Sequence, residues 1–186
     1  MGSASLDNLR ENPGLEKELS SYPYYKDSLL NIRDALHGGR TQATKTYYRV
    51  KQGERINSVD VISLYPYICK YGKIPVGHPK AYVGADCPPD CLDREGIMKY
   101  KVLSPRKLYH TVLPYKSNSK LMFPLCSACA NTMNKGSCTH SDEERRIVGT
   151  SIAYELRKAV DMGYCLVDVF ECWEYSVTCF VRHQFR

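Results

Sequence analysis

Apolar positions along the chain change their period several times, and those changes mark out its elements. Residues 1–20 are polar and charged and are interrupted by Pro13 and Gly14, which predicts a poorly anchored arm or a short helix. Between Asp27 and Leu36 the apolar residues Leu29, Ile32 and Leu36 recur at helical spacing. Gly38-Gly39 follows as a stop signal, so a short helix ending in a glycine turn is expected. Thr46 to Lys51 and Arg55 to Leu64 are β-branched and aromatic runs separated by Gln52-Gly53. They predict a hairpin whose second strand leads into Leu64-Tyr65-Pro66. Residues 71–95, rich in Gly and Pro, read as loop. Gly96 to Leu103 reads as a strand, 108–113 as an extended segment bracketed by Pro105 and Pro114, and 124–140 as a cysteine-containing loop.

Ser141-Asp142-Glu143-Glu144 has the form of a capping box, with acids suited to the positive end of a helix dipole. Ile147, Val148, Ile152, Leu156, Ala159 and Val160 then form one apolar stripe through to Gly163, which predicts a single long helix. Residues 164–173 complete a helix-to-strand unit. The expected fold class is α+β: antiparallel strands, one long helix and a cysteine-rich insertion over 124–140. A polar arm spans 1–25, and one domain spans 26–186.

Length and charge sharpen this picture. A chain of 186 residues suits one domain and leaves little room for a large multi-domain enzyme. The formal charge of +6 conceals an asymmetry, because residues 40–120 carry 15 Lys/Arg against 6 Asp/Glu while the rest is net acidic. Tyr47, Tyr48, Tyr65, Tyr67, Tyr71, Tyr82, Tyr100, Tyr109 and Tyr115 interleave with those cations. That mixture suits phosphate contact and stacking on bases, and it equally suits a solvated basic face. No apolar run is long enough for a membrane span, and the first residues lack the basic start and apolar stretch of a signal peptide. An intracellular protein with no membrane partner is expected, in which nine cysteines serve as metal ligands or buried thiols rather than disulfides.

The segment with the sharpest chemistry is Val59-Asp60-Val61-Ile62-Ser63-Leu64-Tyr65-Pro66. It sets a carboxylate at the end of an apolar run, followed by a turn presenting Tyr65. Such a carboxylate can hold Mg2+ together with substrate phosphates, although a lone strand Asp is more often a cap or an ion-pair member. Asp60-x-x-Ser63-Leu64-Tyr65-Pro66 resembles motif A of the family B DNA polymerases. The surroundings are similar to the protein-primed branch of phages, linear plasmids, organellar elements and large self-synthesising transposons. About twenty residues earlier, Leu36-His37-Gly38-Gly39-Arg40 is similar to that branch's Tyr-x-Gly-Gly motif, with Leu36 in place of the aromatic. Pro114-Tyr115-Lys116, Phe123-Pro124-Leu125-Cys126-x-x-Cys129, Cys138-Thr139-His140 through Arg145, and Gly149-Thr150 look like the palm insertion of the transposon-type members.

The resemblance implies a partial polymerase palm. In it Asp60 is a catalytic carboxylate binding Mg2+ and Val61 offers the metal a backbone carbonyl. Ser63, Leu64 and Tyr65 line the dNTP, and Gly38, Gly39 and Arg40 lie on the DNA template. Its implied partners are primer–template DNA, dNTP and a terminal protein primer. Neither the Lys-x-x-x-Asn-Ser-x-Tyr-Gly helix nor the Tyr-x-Asp-Thr-Asp-Ser hairpin of such enzymes occurs. An internal or truncated piece, inactive in isolation, is therefore expected. Separately, Cys126-x-x-Cys129 and Cys138-x-His140 supply four soft ligands with spacing suited to a structural Zn2+. Two other functions remain open at this level: a non-catalytic zinc-containing nucleic-acid-binding module, and an interaction domain with no nucleic-acid role.

Overall fold

The computed structural model describes residues 30–41 and 43–180; the predicted N-terminal arm lies outside the described residues. The chain divides into two compact units, one holding residues 30–36 and 78–176, the other residues 37–77 with the segment from 177 onward.

The first unit is built on a four-stranded antiparallel sheet in the order β2 (Lys80–Val83), β7 (Cys165–Glu174), β3 (Gly96–Leu103), β6 (Ile147–Ile152). β3 alternates cleanly: Met98, Tyr100 and Val102 are fully buried while Lys99 and Lys101 take the other face. Against that buried face pack Ile147, Cys172 and helix α4 (Ala153–Asp161), whose Ala153, Leu156 and Ala159 form the apolar stripe. The helix ends in a Schellman motif. Tyr164 N–H donates to Ala159 O at 3.1 Å, and Gly163, at φ +91°, donates to Val160 O at 2.9 Å. On the opposite side of the sheet Leu30, Ala35 and Ile97 form a smaller cluster with Ile32 and Trp173. The insertion between β3 and β6 contains the short hairpin β4 (Tyr115–Ser117) and β5 (Lys120–Met122), then the small helices α2 (Ser127–Thr132) and α3 (Asp142–Arg145).

The second unit holds helix α1 (Leu64–Tyr71) and a two-stranded ribbon of β1 (Lys73–Pro75) against β8 (Thr178–Phe180).

Four expectations about the elements are corrected. The capping box forms, with both Ser141 and Glu144 bonds present, but its helix stops at Arg145. Residues 147–152 are a strand, so the predicted long helix is two short ones; Val148 and Ile152 are exposed instead of joining the stripe. The run Ile-Val-Gly-Thr-Ser-Ile is β-branched at four of six positions, and its ladder to β3 outweighs a helical period that it also satisfies. The 46–64 hairpin keeps its turn, with Gly53 at φ +86° and the Glu54 carboxylate accepting from Tyr48 Oη at 2.7 Å and Lys51 N at 3.1 Å, yet neither flank is a strand. Tyr47, Ile56 and Val59 are exposed, so no buried face rewards one register over another. The short helix near residue 36 is a 3-10 turn over Ile32–Ala35 that ends before the glycines, and the loop predicted over 71–95 contains β1 and β2.

Candidate nucleic-acid and metal-binding residues

Asp60 and Val61 lie in an exposed irregular segment immediately before α1, rather than at the end of a strand. The chain turns there on Ser63, whose φ of 58° and ψ of 31° put a non-glycine residue in the left-handed region, at a cost of roughly 1–2 kcal/mol. Leu64 and Tyr65 open the helix and Pro66 follows inside its first turn, where a missing N–H costs nothing. Tyr67 N–H donates to Ser63 O at 2.9 Å, which closes that turn. No residue of α1 is buried, and the Tyr65 ring is 83% exposed. The rings of Tyr67 and Tyr71, one helical turn apart, meet tilted at 45° with centroids 4.9 Å apart. Gly38, Gly39 and Arg40 occupy an exposed irregular stretch of the same unit. The second unit thus presents a carboxylate, a strained turn and five tyrosines, Tyr47, Tyr48, Tyr65, Tyr67 and Tyr71, to solvent among many cations. This can meet a phosphate chain and stack on its bases or sugars.

In the first unit the structure gathers Cys126, Cys129, Cys138 and His140. Their ligand atoms all lie within 4.8 Å of one another. Cys126 is buried at the N-cap of α2, where its Sγ accepts from Cys129 N at 3.3 Å; Cys138 is exposed. Asn134, just beyond the left-handed cap Met133, brings Nδ2 to 3.7 Å from Cys129 Sγ. Hydrogen bonding to His140 pulls the Cys138 thiol down to about 6, while desolvation, reinforced by the neighbouring thiols, pushes Cys129 up to about 11. The other cysteines do not form such a group. Cys87 and Cys91 have their thiols pushed up, chiefly by burial, as plain buried thiols do; Cys172 packs in the core, whereas Cys165 is exposed and does not.

Two polar centres escaped the sequence. Arg145, whose side chain is 3% exposed, sends Nη2 to the carbonyls of Ser104 (2.9 Å), Pro105 (3.2 Å) and Leu125 (3.4 Å), and Nη1 to Asp142 Oδ1 at 3.0 Å. Glu171 is buried in β7, accepting from Leu30 N and from Trp173 Nε1, both at 2.6 Å; desolvation raises its pKa against those bonds and the nearby Lys99. The only signal for either was a charged residue next to an apolar run.

The family described as DNA polymerase type B, organellar and viral, matches residues 16–183, and the chain belongs to it. No curated protein and no solved structure gives a match. Among the described residues no helix is long and apolar enough to cross a membrane.

Proposed function

We propose that this chain is the motif A portion of a protein-primed type B DNA polymerase. The observation that carries the reading is Asp60-Val-Ile-Ser-Leu-Tyr-Pro, with Ser63 held left-handed at the start of α1. Asp60 binds Mg2+, assisted by the Val61 carbonyl. Ser63, Leu64 and Tyr65 receive the dNTP, with the Tyr65 ring against its sugar, and Gly38, Gly39 and Arg40 touch the template. Mg2+, when bound, stabilises the charge on the attacking and leaving oxygens of nucleotidyl transfer. The ion fits a site made of one carboxylate plus phosphate oxygens and water. However, no group of three or more acids or other ligands surrounds Asp60 among the described residues. The 186 residues also contain neither the second carboxylate motif nor the Lys helix. Catalytic parts that act as a unit fail together, so the isolated chain extends no primer. Priming from a terminal protein belongs to this reading through the resemblance of the motifs.

The test is binding of labelled primer–template with dNTP, followed by anisotropy as Mg2+ is added. Wild-type affinity should rise with Mg2+, and Asp60→Asn should abolish that rise while leaving binding that weakens steeply with salt. Identical Mg2+ responses in the two proteins would refute the role of Asp60. Salt-dependent DNA binding with no Mg2+ response in either would favour the non-catalytic nucleic-acid module.

A further inference from the structure

The four ligand atoms of the insertion have a geometry that hydrogen bonding alone does not explain. His140 Nδ1 lies 3.6 Å from Cys126 Sγ, 3.3 Å from Cys129 Sγ and 3.6 Å from Cys138 Sγ. A neutral imidazole nitrogen offers one lone pair or one proton, so it satisfies one thiol and leaves two. A tetrahedral ion resolves the crowding. Zn–S bonds of about 2.3 Å and a Zn–N bond of about 2.05 Å at tetrahedral angles require an S to N edge of about 3.6 Å. The three measured edges match that length to within 0.3 Å. The backbone joins the first pair as well: Cys129 N–H donates to Cys126 Sγ at 3.3 Å across the first turn of α2.

We infer that Cys126, Cys129, Cys138 and His140, the last through Nδ1, bind one Zn2+, and that this ion clamps the insertion onto the start of β6. The inference is independent of the polymerase reading. Its second half follows from what surrounds the ligands. Within the first ligand pair, α2 offers Ser127, whose Oγ lies 3.0 Å from Glu144 O and 2.6 Å from Arg146 O, two of the three carbonyls that immediately precede β6. On the other side His140 leads directly into the Ser141 cap of α3, where Ser141 N and Oγ both donate to Glu144 at 2.8 Å. Three thiolates and one imidazole, with no carboxylate among them, select a borderline-soft ion over Mg2+ or Ca2+, and four protein ligands close the shell to substrate. The ion is therefore structural.

The experiment measures metal content and local order on the full chain. Purified protein should carry one zinc per chain. Replacement by Co2+ should give the intense visible absorption of a tetrahedral thiolate site. Cys138→Ser removes the exposed ligand with least disturbance to the fold. It should weaken zinc at least about 100-fold in chelator competition, since even losing a partner one shell out costs 10–100-fold. Cys165→Ser, an exposed thiol elsewhere, should change nothing. Chelation should raise amide exchange over 126–146 while the β3–β7 ladder keeps its protection. Chains that fold without stoichiometric zinc, or a Co2+ spectrum that survives Cys138→Ser, would overturn the site. Zinc loss with unchanged exchange over 126–146 would overturn the clamp.

Discussion

Replacing Arg145 with Met tests how the insertion is fastened to the sheet. The guanidinium gathers the carbonyls of Ser104, Pro105 and Leu125 around one nitrogen and reaches Asp142 with the other. The Leu125 carbonyl retains the Ser104 hydroxyl, so methionine orphans two carbonyls. Each stranded buried acceptor costs about 1–3 kcal/mol, while the Asp142 carboxylate left behind is exposed and keeps Arg106, so it adds little. The two carbonyls give a loss of about 2–6 kcal/mol, a large share of the roughly 5–15 kcal/mol that holds a domain. For a chain of this size that lowers Tm by roughly 10 °C. Urea unfolding followed by the fluorescence of Trp173, the single tryptophan, measures it directly. Asp142→Ala is the discriminating control, because Asp142 is more than half exposed and is shared with Arg106 at 2.6 Å. It should cost clearly less. A change below about 1 kcal/mol for Arg145→Met, or an equal loss in both variants, would refute the carbonyl cradle as the source of stability.

Leu156 is fully buried beneath the sheet, so Leu156→Ala should cost about 2–5 kcal/mol in the same unfolding assay; a loss under 1 kcal/mol would mean that α4 packs loosely. Glu171 has a raised pKa, so the folded state holds its proton more tightly than the unfolded state. Its effect on stability is therefore most favourable below the ordinary carboxylate range and declines as pH rises through the raised value. Wild type measured against Glu171→Gln should lose relative stability from about pH 4.5 upward; a difference that is flat or grows with pH would contradict the burial cause.

What was legible beforehand follows from how many independent constraints met at each element. β3 and β7 were readable because alternation, β-branched content and flanking turns agreed. The end of α4 was readable because Gly163 sits where a left-handed residue is required. The four-ligand group was readable from spacing alone, since Cys-x-x-Cys and Cys-x-His each force their members together. Residues 147–152 were misread because Ile147, Val148 and Ile152 satisfy a helical period as well as a strand, and only pairing with β3 decides between them. The segment around Asp60 kept its chemistry in the sequence while its expected strand did not form. Arg145 was invisible because its partners are backbone carbonyls 20 to 41 residues away, which carry no side-chain signature.

β7 lies between β2 and β3, although it is the last strand of its sheet to be synthesised. Until Cys165–Glu174 has left the ribosome, β2 has no partner and β3 is paired only with β6, so one long edge and much of the buried face stay open to water. Assembly of the unit is therefore a late, long-range event, slow by loop-closure entropy and vulnerable to sticking in the interval. A transcript or proteolytic product ending before Cys165 would lack the middle of the sheet rather than its margin, and should be cleared or aggregate rather than persist as a smaller folded form.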